Sequence, residues 1–456
     1  MKAATPFRVL AAEGLRATAD RARDRLAEAR RRRSFASMEI LESALGLPPA
    51  AFPILLLSAA APAPRLGGVQ AALLARLDEE ERRRPVALLY PLRGSWRLEL
   101  SEGALRRAAE LPGAAPPDPT ALADAELERV VGWAVERCGA AALHVEGAAG
   151  LPLRSLARLE SEGLPLILAL HDFALFCPRP HLLEEPARRF CHYSRDPARC
   201  AACLEATWPP PASPAPFQAE RRELGASLLA GAAAAVFPSD FLRRAHAELF
   251  PGAVPARSLV IPPARPPAPP LAPRRSPPGP PQPPRRVALL GGAQAHKGAE
   301  IFAEAVGRLT ETALAFTVYG GGDAAILHRL RGLPAVAVRG YYRVGSLAGL
   351  LRRDRIDLAL LLSIVPESYS LALSECRLAG VPVVAFDHGA VAERIRDEGG
   401  GLLVDLAEGA PGLAATIEAL ARGSVEIPPL RADVEADEAC RTADRWLALY
   451  RDLGLV

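Results

Sequence analysis

Lysine is scarce in this chain. Of 55 Lys and Arg residues only Lys2 and Lys297 are lysines, so Lys297 marks an interior position where a compact ammonium serves better than a guanidinium. It closes the run Gly291, Gly292, Ala293, Gln294, Ala295, His296, Lys297, Gly298, between an apolar stretch at 287–290 and a helical composition at 299–309. Glycines let backbone N–H groups approach an anion, and a following helix start adds a favourable dipole. The spacing therefore suits a phosphate site; the plainer alternative is a chain turn with Lys297 on the surface.

A second constellation is Pro366, Glu367, Ser368, Tyr369, Ser370, Leu371, Ala372, Leu373, Ser374, Glu375. Ser368 or Ser370 suits the cap of a following helix. Glu375 then falls in the second turn, about 8 Å further along. A phosphate over the helix start, with a carboxylate on either side to accept from vicinal hydroxyls, describes a nucleotide sugar: hexose at Glu367, diphosphate in the middle, ribose at Glu375.

In the first half, Gly67 and Gly68 turn from an apolar run into a helix, as an ordinary β-to-α turn does. His171 and Asp172 follow the apolar run 166–170. His171 is a candidate for orienting a sugar and, more weakly, for moving a proton; a structural histidine is the alternative. Cys177, Cys191, Cys200 and Cys203 crowd into 27 residues and end in Cys-x-x-Cys, which suits a structural zinc pinning a long loop, or else unligated buried thiols. Cys138, Cys376 and Cys440 read as packing residues. Ser239 follows another apolar run and suits a helix cap.

These residues need strands and helices to hold them. Continuous apolar runs at 54–57, 86–90, 141–145, 166–170 and 234–237, alternating with helical stretches, imply a parallel sheet covered on both faces. The pattern restarts at 287–290, 314–318, 335–338, 358–362, 381–386 and 402–404. Between the two sets, 13 of the 23 residues from 262 to 284 are proline, a composition for a semi-rigid spacer. The expected organisation is a helical extension over 1–50, an α/β domain over 53–261, the linker 262–284, a second α/β domain over 285–425, and a closing helix over 430–456 that packs back on the first domain. Two such domains are expected to face a cleft at the carboxyl ends of their strands.

Composition removes other classes. A formal charge of +3 and 5% aromatics argue against nucleic-acid binding. No apolar run reaches the ~18 residues of a membrane span, no signal peptide is evident, and seven cysteines do not make a secreted disulfide framework. A cytoplasmic protein is expected. The run Arg30, Arg31, Arg32, Arg33 reads as a solvated helical face, or as a peripheral contact with anionic lipid at the inner membrane surface.

The segment 363–394 resembles the donor-site signature of family 4 glycosyltransferases, with two glutamates separated by seven residues and then Leu378, Ala379, Gly380, Val381, Pro382, Val383, Val384, Ala385. The family's glycine and Lys-Gly element aligns with 291–298, its acceptor-side loop, which also approaches the donor phosphates, resembles Gly67 and Gly68, and its strand-end histidine, which contacts the donor sugar, aligns with His171. The resemblance implies the GT-B fold and retaining transfer of a sugar from a nucleoside-diphosphate donor to a glycan or lipid-linked acceptor of the cell envelope, with no metal needed for catalysis. It implies that Lys297 neutralises the diphosphate, Glu375 holds the ribose and Glu367 the transferred sugar, with Ser368, Tyr369, Ser370 and Leu371 at the helix start. A subset of bacterial members is similar also in the stretch from His171 to Cys203. One departure stands out: the family's arginine before the lysine is Gly292 here, so either Arg339 or Arg343 substitutes or the enzyme is slow. Alternatives on the same fold are a nucleotide-sugar epimerase or hydrolase, and a non-catalytic scaffold.

Overall fold

The computed structural model describes residues 15–37, 52–63, 67–92, 94–112, 117–118, 120–206, 213–267, 283–310, 313–431 and 439–456. The proline-rich core of the linker, the ends of the N-terminal extension, and Arg65 and Leu66 before the Gly67–Gly68 turn lie outside them. The chain forms two compact units, Glu28–Ala264 with Glu438–Val456, and Arg265–Asp437 with Met1–Ala27.

The first unit is built on a nine-stranded sheet. Its strands are β1 (Ala36–Ser37), β2 (Ile54–Ser58), β3 (Val86–Leu92), β4 (Ser95–Glu102), β5 (Leu105–Pro112), β6 (Ala142–Glu146), β7 (Leu166–Ala169), β10 (Ala234–Phe237) and β11 (Ser258–Val260), while β8 (Leu183–Glu184) and β9 (Arg189–Phe190) pair separately. The order is β1-β5-β4-β3-β2-β6-β7-β10-β11. From β3 to β11 the pairing is parallel, and β4 and β5 extend one edge antiparallel. Strands β2 and β6 are buried along their whole length, as the continuous apolar runs require. Leu55, Leu57, Leu143, Val145 and Leu168 pack on one face. On the other, Ile54, Ala142, Ile167 and Val236 meet Trp446, Leu447, Leu449 and Tyr450 of the last helix (Ala439–Asp452). The closing helix thus packs on the first domain.

The extension is not helical to its end. One helix, Leu15–Arg33, is followed by Ala36–Ser37, which pair with β5 as a sheet-edge strand. Nor is the basic run a uniformly solvated face. Arg31 is drawn inward, 3.2 Å from Glu81 and 3.4 Å from Glu99, because those two carboxylates are themselves buried and need a cation.

The second unit carries six parallel strands: β12 (Arg286–Leu290), β13 (Ala315–Tyr319), β14 (Val336–Gly340), β15 (Leu358–Leu361), β16 (Val383–Phe386) and β17 (Gly401–Val404), in the order β14-β13-β12-β15-β16-β17. Alternate residues of β12 face opposite cores, Val287 and Leu289 into one, Ala288 and Leu290 into the other. The chain starts in the middle, runs out through β13 and β14, then returns to add β15 on the other side. The carboxyl ends of β12 and β15 flank the point where the direction of winding reverses, the place where sheets of this kind bind ligands.

Candidate functional site

Both loops singled out in the sequence leave those two strands. After β12 the chain turns through Gly291 and Gly292, makes one 3-10 turn at Ala295–Lys297, and enters the helix Ala299–Arg308. After β15 it runs through Pro366 and Glu367 to the helix Leu371–Ala379. The loops are tied directly: the His296 carbonyl accepts from the Ile364 N–H at 2.9 Å and the Ser363 hydroxyl at 3.1 Å. Gly298 sits at φ +71, and a Cβ there would run into the Leu362 carbonyl. Only glycine lets the Lys-Gly turn lie this close to the neighbouring loop.

The result is an ion pair, with Lys297 Nζ 2.7 Å from Glu367 Oε1. Burial would push the Glu367 carboxyl up, but the Lys297 charge and hydrogen bond, with help from the Ser370 hydroxyl, hold it below the usual carboxylate range. The ammonium and the start of the next helix are therefore neighbours of one acid.

That helix start is shaped by its cap. Ser370 has φ +76, a conformation rarely taken by non-glycine residues, and its hydroxyl accepts from the Leu373 N–H at 3.4 Å. The N–H groups of a first helical turn lack intrahelical partners and favour an anion. Arg394, which the sequence did not single out beyond closing the signature, stacks 4.1 Å over the Tyr369 ring and donates to the Tyr369 and Ser370 carbonyls at 3.2 Å each. It braces the strained residue from behind. Tyr369 is accordingly buried, and Leu371 opens the helix.

Glu375 is placed differently from its partner. It is buried, and its carboxylate accepts from the N–H of Gly345 at 3.2 Å, Leu347 at 2.7 Å and Ala348 at 3.2 Å. It thereby caps the helix Leu347–Arg353. Burial pushes its carboxyl up, and the three backbone donors offset part of that. Sequence spacing gave its helix position but not this second task.

Gly292 has φ +84, and a side chain there would collide with the Gly321 carbonyl. The missing arginine is thus excluded by close approach of the loop after β13. The two proposed substitutes are engaged elsewhere: Arg339 lies 3.2 Å from Asp354, and Arg343 lies 2.8 Å from buried Asp24, which also accepts from the Tyr341 hydroxyl at 2.5 Å.

In the first unit, Gly67 is the N-cap residue and Gly68 the first residue of the helix Gly68–Glu80, which follows β2. His171 follows β7, and its Nε2 is 2.9 Å from Glu146 Oε1 at the end of β6. Asp172 turns back to accept from the Ala174 N–H at 2.8 Å. Glu146 was missed; its signal was an acid ending the apolar run Ala142–Glu146. Ser239 caps its helix through the Leu242 N–H.

Cys177, Cys191, Cys200 and Cys203 do come together, lining one cavity of about 30 Å³. Among the described residues no three metal-ligating side chains are arranged to hold an ion. The sulfurs have other partners instead: Cys203 accepts from the Glu185 N–H at 3.3 Å, and Cys200 contacts the Ser194 carbonyl and Arg222 at 3.4 Å each. Burial pushes the Cys177 thiol up to about 12.

Two Rossmann-like α/β domains with this strand order define the GT-B fold. Residues 284–422 match the family described as glycosyl transferases group 1, a span that includes Lys297, Glu367 and Glu375. Sucrose-phosphate synthase from Thermosynechococcus elongatus is similar over 88% of this chain and 99% of its own, with TM-score 0.60 and 15% identity. HepE from Anabaena, in complex with UDP, is similar over 88% of this chain and 98% of its own, with TM-score 0.51 and 15% identity. A glycosyltransferase from Rickettsia africae covers 89% of this chain and 97% of its own, with TM-score 0.51 and 11% identity. At such identities the likeness is one of fold. No curated protein matches the sequence. No described helix is long and apolar enough to cross a membrane.

Proposed function

We propose that this chain is a retaining glycosyltransferase of the family 4 type, moving a sugar from a nucleoside diphosphate to a glycan or lipid-linked acceptor in cell-envelope polysaccharide synthesis. The observation that carries the reading is the Lys297–Glu367 pair, 2.7 Å long, beside a helix start at the winding reversal of the second sheet. A diphosphate entering there exchanges the Glu367 carboxylate for its own oxygens at the ammonium. Glu367 is then released to accept from hydroxyls of the transferred sugar. Glu375 Oε1, which takes one backbone N–H, keeps acceptor capacity for a ribose hydroxyl.

In the reaction the bond from C1 to the diphosphate oxygen breaks and a bond from C1 to the acceptor oxygen forms on the same face. The acceptor's proton passes to the departing diphosphate, so the protein supplies charge stabilisation and positioning. His171 is assigned to a hydrogen bond with a sugar hydroxyl. No metal is needed for catalysis on this reading, and the site of action is the cytoplasmic side of the envelope.

The test is calorimetric titration with nucleoside diphosphates, then a panel of UDP-, GDP- and ADP-sugars read by released nucleotide. UDP and UDP-glucose come first, since HepE was solved with both. Binding that Lys297→Ala weakens at least tenfold supports the reading. One observation favours a second reading: Gly292 is closed to a side chain and Arg339 and Arg343 are both paired to carboxylates, so none of these three positions offers the diphosphate a second cation. Absence of nucleotide binding by the wild type would therefore point to a non-catalytic scaffold.

A further inference from the structure

Buried charge is concentrated where β6 and β7 end in the first unit. Glu146 is 4% exposed and has three nitrogenous neighbours. Its Oε1 is 2.9 Å from His171 Nε2, and its Oε2 is 2.8 Å from the Arg76 guanidinium and 3.1 Å from His144 Nε2. The contact with His144 is close but poorly directed, leaving that nitrogen without a good hydrogen bond.

Behind this group stands the last helix. Tyr450 Oη is 2.7 Å from His144 Nδ1, and Trp446 stacks on His144 at 4.4 Å and lies under the Arg76 guanidinium at 4.6 Å. Glu80 faces Arg76 at 3.1 Å and also pairs with Arg84, which covers the Tyr450 ring at 4.7 Å. Asp172 is the remaining charged neighbour of His171.

Roles follow from which atoms can donate. Burial would push the Glu146 carboxyl up, but Arg76 and the two histidines hold it well below the usual range, so it is ionised and accepts only. The His171 Nε2 must therefore carry the proton. In the neutral ring Nδ1 is then the bare nitrogen, and no described residue bonds to it. His144 is kept neutral by burial. With its Nε2–H turned to Glu146, its Nδ1 accepts from the Tyr450 hydroxyl.

We propose that Glu146 is a positioning residue that fixes the His171 ring with Nδ1 as a bare acceptor for a sugar hydroxyl, and that the last helix holds Glu146 in place through Tyr450 and His144. The identity of the hydroxyl rests on the sugar-transfer reading; the ring geometry does not.

The first test needs no turnover. Selective ¹⁵N labelling of histidine, with His171 assigned by loss of its signals in His171→Asn, reports the proton on each ring nitrogen. In its neutral form the wild-type ring should show an unprotonated Nδ1 and a protonated Nε2, read on the alkaline plateau of the His171 signals. Glu146→Gln should shift both His171 signals. A protonated Nδ1 in the wild type, or His171 signals unmoved by Glu146→Gln, overturns the proposal.

The second test is kinetic. Glu146→Gln should lower kcat at least tenfold with the donor KM within twofold, and should cost nothing further in a His171→Asn background. An equal loss in that background would show that Glu146 acts by another route. Tyr450→Phe, a milder change that keeps the fold if Glu146→Gln does not, should lower kcat about threefold and shift the His171 signals in the same direction; unmoved signals there overturn the role of the last helix. If the wild type transfers no sugar from any donor, the functional reading falls, while the labelling experiment still decides the role of Glu146.

Discussion

Lys297 stabilises the charged form of Glu367. The Glu367 carboxyl is held below its ordinary value, so its contribution to stability is complete above the usual glutamate range near ~4.3 and is lost as pH falls through the lower folded value. Lys297→Ala should therefore destabilise the protein by about 1–2 kcal/mol at pH 7. The difference should close only as pH falls through the lowered folded value, where the carboxyl becomes protonated in both proteins; urea unfolding at pH 7 and at successively more acidic pH measures it. Gly292 makes the opposite point. Supplying the missing charge as Gly292→Arg should not raise activity, because the Gly321 carbonyl occupies the side chain's space. A positive φ and an overpacked turn together should cost about 2–5 kcal/mol, seen as a lowered Tm. Residue types singled out both members of the ion pair, as separate phosphate and sugar contacts, since a lone interior lysine and a Pro-Glu after an apolar strand carry their chemistry locally; that the two pair with each other was not legible. They could not give Glu375's three backbone partners, which come from a segment 27 to 30 residues upstream. The thiol cluster shows the reverse: spacing foretold that the four would meet, as they do on one cavity, while the burial that pushes the Cys177 thiol up depends on the fold around it.

At the scale of elements, most parallel strands were legible because burial on both faces writes an unbroken apolar run; the half-buried β11 was missed. Strands β4 and β5 were not, although Trp96, Leu98 and Leu100 alternate with Arg97, Glu99 and Ser101. The polar face of β4 is itself covered: Glu99 accepts from the Tyr90 hydroxyl at 2.7 Å and from Arg97 at 2.8 Å. A search for continuous apolar runs passes over such a strand. The last helix was legible as a packing element, but not as part of a polar network, because Trp446 and Tyr450 look like core residues in sequence. Trp446 is 3% exposed and touches both His144 and Arg76. Trp446→Ala should cost about 3–5 kcal/mol and also disturb the His171 ring, readable as a lower urea midpoint accompanied by altered histidine ¹⁵N shifts.

For the molecule as a whole, the boundary between units matters more than their sizes. The first unit consists of Glu28–Ala264 and Glu438–Val456, so its sheet receives a covering helix from the far end of the chain. Four of that helix's side chains, Trp446, Leu447, Leu449 and Tyr450, are at most 6% exposed. At about 1.5–3 kcal/mol for each buried apolar side chain, their loss approaches the entire stability of a typical domain, about 5–15 kcal/mol. A chain ending at residue 437 should accordingly be recovered as aggregate, or as a species that binds a hydrophobic dye, whereas the full chain remains monodisperse.

The same interruption governs the order in which the protein is made. A ribosome releases the residues of the nine-stranded sheet early, yet the helix that shields Ile54, Ala142 and Ile167 emerges only after the second unit has been made. Throughout elongation of the intervening 173 residues, Arg265–Asp437, the nascent polypeptide displays an adhesive apolar face, and chaperones of the translating complex have their longest opportunity to engage it there.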